Sequence, residues 1–450
     1  MVKVAAPKHH FATLTTAIGT FVLVGCSPTM SVNDVPDIDA VSRDVQIIVA
    51  PNDLPSLPGQ DGLALPDAGP APTITWHQQV HPIVASKCVT CHAAGLVGPF
   101  PLETLAQVRA NARVIVPEIQ ARRMPPWMPL EGCQEFKHDR SLSEGEIFTV
   151  SEWIRLGMPE GDAANPAMVP AAEVVPFRTD MRLQMLAPVV PDFSHSTTGA
   201  DDYHCFVLNR SLERTIWVTG YDIEPGVRAM VHHANVYAIP AADAAVLNAS
   251  PQGYQCFGGP GGSARTIGVW VPGTPPAKYP DQTGIQINQG EAIVVQMHYY
   301  RFNRDGGMPP ADRSTMLLEL APVRPPRLGD LLGPGGGGNF VVPARTTGFA
   351  VTGEWIVPAR GTLWGVLPHM HKIGRRISVR IGDSCAVDVP AWDFHWQQAY
   401  FYTQLGGIPV TAGTRTSITC IYDNPNNTPV RNGQGSDEEM CGAPFYYTAE

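Results

Sequence analysis

Apolar positions along this chain follow one period in its first third and another after it. Trp76, Val80, Ile83 and Val84 recur at intervals of three and four, which is the spacing of one helix face. Residues 102–123 continue in the same manner. Ser143, with Glu146 three positions on, reads as a capping box that opens a helix with Ile147, Val150, Trp153 and Ile154 on one face. Beyond about residue 175 the helical period disappears. Short runs such as Thr215-Ile216-Trp217-Val218, Ala234-Asn235-Val236-Tyr237 and Ala292-Ile293-Val294-Val295-Gln296 replace it, separated by proline and glycine. That pattern predicts β-sandwich strands. A glycine-rich link at residues 333–338 divides the β region, so one sandwich is expected over 175–325 and another over 339–450.

The first 73 residues predict no packed core. Lys3 and Lys8 precede an apolar run at residues 11–24, the length of a signal-peptide core and too short to span a bilayer comfortably. The run ends Leu23-Val24-Gly25-Cys26. This resembles the lipobox of bacterial lipoproteins, which implies removal of residues 1–25 and lipidation of Cys26. Residues 26–73 hold eight prolines, seven aspartates and one basic residue, Arg43, and read as a disordered tether. The expectation is an exported protein anchored by lipid in the bacterial cell envelope.

Composition agrees with a β-rich body. Glycine (43) and proline (44) are abundant and charged residues make up only 16%, as expected of many turns and few long charged helices. A net charge of −10 argues against a nucleic-acid partner, which would call for a positive surface.

The helical third carries Cys88-Val89-Thr90-Cys91-His92, the C-x-x-C-H pattern of c-type haem attachment. Two thiols add to the haem vinyl groups and the next residue offers an imidazole to the iron. A zinc site would want a second pair of ligands nearby, and the sequence offers none. Downstream, Arg123-Met124-Pro125-Pro126-Trp127-Met128 could supply a thioether as sixth ligand. Three helices, this motif and a downstream methionine resemble a small cytochrome c domain over 74–165. Met124 is the expected ligand, with Met128 and Met158 as alternatives.

The β region carries the other candidate chemistry: His232-His233, His298, His369-Met370-His371 and Met440. Residues two apart on a strand face the same way, so His369 and His371 can meet one metal ion. Imidazole with thioether favours copper. Single histidines in a sheet are usually structural, and His77, His81, His138, His195, His204 and His395 are read so.

The segments Gln296-Met297-His298-Tyr299, His369-Met370-His371 with Gly374, and Ser436-Asp437-Glu438-Glu439-Met440-Cys441 resemble those of the copper type II, ascorbate-dependent monooxygenases, the peptidylglycine and dopamine hydroxylase family. The resemblance covers about residues 180–450. It implies two jelly-roll sandwiches, a first copper on His232, His233 and His298, and a second, catalytic copper on His369, His371 and Met440. It also implies disulfides Cys205–Cys256 and Cys420–Cys441. Cys133 and Cys385 are then left over, and their pairing would clamp the haem domain to the second sandwich.

The activity so implied is hydroxylation of a C–H bond by dioxygen with electrons from an external donor, ascorbate in the family. Because fusion raises a donor's effective concentration, the haem is expected to feed the coppers here, with ascorbate or a redox protein as the external donor. Where the peptide-hydroxylating relatives hold a substrate carboxylate, this chain has Leu367, Gly442 and Pro444, which argues for a different, less polar organic substrate. Two other readings remain open. One is an electron-transfer or copper-binding surface protein, and the other a dehydrogenase that uses the haem as acceptor.

Overall fold

The computed structural model describes residues 73–450, apart from 172, 197–198, 241, 244–249, 302–307, 337 and 434–437. The expected signal peptide, Cys26 and all but the last residue of the expected tether therefore lie outside the described residues, as do Ser436 and Asp437. The described chain is mostly β-sheet with few helices.

A π-helical turn over Trp76–Val80 leads into helix α1, His81–Lys87, and helices α2, Leu105–Gln120, and α3, Glu144–Arg155, follow. Both longer helices begin at capping boxes, Thr104 with Gln107 and Ser143 with Glu146, so the first orphan amides of each are satisfied by side chains. Trp76, Val80, Val84, Val108, Ile119, Ile147, Val150 and Trp153 close a small core among them.

The β region forms two packed layers twice over. A five-stranded sheet containing Asp201–Asn209, Val231–Ile239 and Ala292–Tyr300 packs on strands Ile216–Glu224, Thr283–Ile287 and Thr315–Leu320. Phe206, Val236, Val295, Val218, Ile285 and Leu318 fill the space between. In the second half, the sheet containing Thr346–Ile356, Gly374–Ile381 and Arg415–Asn424 packs on Gly361–Val366 and Phe445–Ala449.

Two features depart from the expected boundaries. The strand Arg327–Leu332 lies between the expected sandwiches and joins them. It pairs parallel with Thr283–Ile287 on one side and antiparallel with Phe445–Ala449 on the other, making one ten-stranded sheet that runs through both halves. The second departure is in the helical third. Between α2 and α3 the chain leaves the helices: Leu130 N–H donates to Asp388 C=O (2.7 Å) and Lys137 N–H to Phe401 C=O (2.8 Å). Phe136 is buried in the second β core, and a Cys133–Cys385 disulfide fixes the crossing. Apolar Trp127 and Phe136 find a larger core there than three short helices offer.

Candidate functional site

His232 and His233 sit on the strand Val231–Ile239, and His298 on its antiparallel neighbour Ala292–Tyr300. Adjacent strand residues ordinarily face opposite ways. Here the register slips between Val231 and His233, and this bulge brings both rings to one side. All three histidines are buried, and one nitrogen from each lies within 4.8 Å of the others.

His298 Nε2 lies 3.0 Å from Asp201 Oδ1, and its Nδ1 lies 3.2 Å from His233 Nδ1. An imidazole that donates from Nε2 to a carboxylate keeps its Nδ1 lone pair for a metal. Two nitrogens bound at about 2.0 Å to one tetrahedral ion would stand about 3.3 Å apart, close to the separation found. Tyr203 stacks on His298, centroids 4.1 Å apart and planes 6° from parallel. Burial, reinforced by the neighbouring imidazoles, holds His232 and His298 well below the usual histidine range and His233 down to about 3. The rings are therefore neutral, the form that binds metal.

The second set is built on a short pairing of His369–Met370 with Cys441–Gly442. The strand expected to carry both histidines is only two residues long, and His371 lies just past it. The buried Glu439 carboxylate ends the strand by accepting from the amides of His371 (2.8 Å) and Ile373 (2.7 Å), and burial raises its pKa to about 7. His371 Nδ1 donates to Glu438 C=O (2.9 Å), and His369 Nδ1 bonds the Gln397 side-chain oxygen. Each ring thus keeps Nε2 for a ligand. Burial lowers both, His371 to about 3. Met440 is positioned from both sides: Tyr422 donates to its carbonyl (2.7 Å), and the next residue is tied by Cys420–Cys441.

His369, His371 and Met440 line a cavity of about 310 Å³ that His233 lines as well. Leu367, Gly442 and Pro444 line it too, with Tyr203, Phe257 and Phe394. None of its lining residues among those described is Asp, Glu, Lys or Arg.

A second, apolar cavity gathers Cys88, Cys91, His92 and Met124. Neither thiol is in a disulfide, and burial pushes Cys88 up to about 12. His92 Nδ1 donates to Phe100 C=O (2.9 Å), which leaves Nε2 available. Met128 and Met158 do not line this cavity; Met128 instead accepts from the Asp393 amide (3.3 Å). Arg140 lines the cavity and donates to three neutral oxygens: Pro126 C=O, Pro272 C=O and Gln398 Oε1. The third disulfide, Cys205–Cys256, closes the edge of the five-stranded sheet.

One segment touches all three places, and it is the one sequence reasoning passed over. Trp392 donates to His371 C=O (3.2 Å), Phe394 lines the larger cavity, and Gln397 holds His369. His395, read above as structural, lies with its ring centroid 5.6 Å from that of His232 and 6.1 Å from that of His298. With Asp201 and His298 it forms a second group of metal-ligating type, and its buried Nδ1 has no hydrogen-bond partner. Trp396 packs on His232 at 4.9 Å and also lines the cavity that gathers Cys88, Cys91 and His92. The density of aromatic and amide side chains in Trp392-Asp393-Phe394-His395-Trp396-Gln397-Gln398 was the available signal.

Comparison of the chain with protein-family models and with curated proteins finds no match.

Proposed function

We propose that the protein is a copper-dependent monooxygenase that hydroxylates a C–H bond of a small uncharged organic substrate, with electrons supplied through a c-type haem on its helical segment. The observation that carries this reading is the shared cavity, lined by His233 from one sandwich and by His369, His371 and Met440 from the other. The likeness of these segments to the copper type II monooxygenases, and of the helical segment to a small cytochrome c domain, supports it.

Bound copper would supply dioxygen activation and bound haem single electrons, for a balance of substrate, dioxygen, two electrons and two protons giving alcohol and water. The residues do the rest. His232, His233 and His298 would hold one ion with neutral nitrogens, and Asp201 would fix the His298 tautomer. His369, His371 and Met440 would hold the other; a thioether beside two imidazoles favours the cuprous state. Cys88 and Cys91 would tether the haem and His92 and Met124 would ligate it, while Arg140, which shares the Pro272 carbonyl with Cys91, would put a positive charge in the cavity wall. Leu367, Phe257 and Phe394 favour an apolar substrate and exclude water around it.

Export, the lipid anchor on Cys26 and the identity of the external donor belong to the same proposal. The test is a metal balance on the mature protein together with oxygen uptake against a panel of uncharged organic compounds. Two coppers per haem, and uptake abolished by Met440→Ala with the haem retained, are expected. One copper per haem, or uptake untouched by that substitution, would overturn the mechanism.

A further inference from the structure

Resting on the reading just given, we infer that Trp396 is the electron relay between the haem cavity and the three-histidine metal set. The haem would therefore deliver to that set and not directly to His369, His371 and Met440. Trp396 is a wall residue of the cavity that holds Cys88, Cys91 and His92, and its ring lies 4.9 Å from that of His232. Among the described residues lining that cavity, it is the one whose ring packs on a histidine of either metal set. None of His369, His371 and Met440 reaches the cavity wall. Tunnelling falls off exponentially with the gap between donor and acceptor. A π system packed on a ligand ring shortens that gap where aliphatic packing would not.

The residue is also held still. It ends the short helical turn Phe394–Trp396, in which the Asp393 side chain accepts from the His395 amide (2.9 Å) and the Asp393 carbonyl accepts from the Trp396 amide (3.1 Å). Gln397 Nε2 donates back to Phe394 C=O (2.9 Å), and Gln398 is bonded to Arg140. A relay with one fixed orientation needs no reorganisation between transfers. In each transfer a ferrous haem loses one electron and becomes ferric, and a cupric ion on His232, His233 and His298 gains it and becomes cuprous. Trp396 is unchanged at the end. The external donor restores the ferrous haem before the second electron passes.

The experiment is flash photoreduction of the haem in the oxidised, copper-loaded full protein without oxygen. The decay of ferrous haem absorbance and the loss of the cupric EPR signal are followed in wild type, Trp396→Phe and Trp396→Leu. Wild type should pass the electron. Trp396→Leu should slow the transfer by about tenfold or more, a rise of about 1.4 kcal/mol in effective barrier, with Trp396→Phe between them. Metal contents, haem spectrum and cupric EPR spectrum should be unchanged, which separates a lost relay from lost packing. Equal rates in wild type and Trp396→Leu overturn the relay. If the leucine variant loses haem or copper, the phenylalanine variant decides, and a wild-type rate there overturns the relay too. No transfer in wild type overturns instead the reading that the haem feeds the copper.

Discussion

His298 and Asp201 meet at 3.0 Å, imidazole Nε2 to carboxylate oxygen, inside the first sandwich. Both residues are buried, so the contact fixes which nitrogen of His298 turns toward His233. Carboxylates in this position raise the basicity of a ligating imidazole. Asp201→Asn keeps an oxygen acceptor and removes the charge. It should weaken copper binding at the three-histidine set about 10–100-fold, read by chelator competition against the cupric EPR signal. Unchanged affinity would reduce Asp201 to a packing residue.

Acid should destabilise the metal-free protein. His233 and His371 have folded pKa values depressed to about 3 by burial, against about 6.5 when unfolded. Between those values the unfolded chain binds more protons, so stability is full above pH ~6.5 and falls as pH drops toward 3, by up to about 5 kcal/mol for one such imidazole. Glu439 has the opposite sign. Its pKa is raised to about 7, so its share of stability is lost as pH rises from ~4.5 through 7. Urea unfolding midpoints of the chelator-treated protein should therefore fall on the acid side of 6.5. A flat profile from pH 6.5 to 4 would contradict the neutral burial of these rings.

Gly98 packs against His92 too closely to accept a side chain, which bears on the proposed haem attachment. A Cβ there would stand 2.6 Å from His92 Nδ1 and 2.9 Å from the Cys91 carbonyl oxygen, and overpacking of that kind costs about 1–3 kcal/mol. Gly98→Ala should leave the haem attached through both thiols while displacing His92. The visible spectrum should lose its six-coordinate low-spin form, with the thioether linkages intact by mass spectrometry. A wild-type spectrum would mean the loop yields and His92 is not held from this side.

The helices were legible because their signals are local: Ser143 and Glu146 are three residues apart and cap each other as the sequence suggests. The apolar runs around Trp217 and Val294 were legible as strands for the same reason. What brings the site together is not local. Strand alternation would separate His232 from His233, and only the register slip against His298 unites them. His369 and His371 were singled out by alternation, yet the strand stops at Met370, and Glu439, 68 residues on from His371, turns the chain instead. His395 and Trp396 sit in a three-residue turn with no period to read. Their importance comes from contacts with His232 and, for Trp396, with the cavity of Cys88, Cys91 and His92, which only the tertiary fold creates.

The strand Arg327–Leu332 has a consequence for motion. It is hydrogen-bonded to a strand of each sandwich at once, so the two halves cannot swing apart about a hinge without tearing a ladder. His233 and Met440, which line one cavity, are therefore held in one body. On the proposed reading, substrate would enter through the mouth of that cavity, and an electron passing between the two metal sets would meet a constant span instead of waiting for a closing stroke.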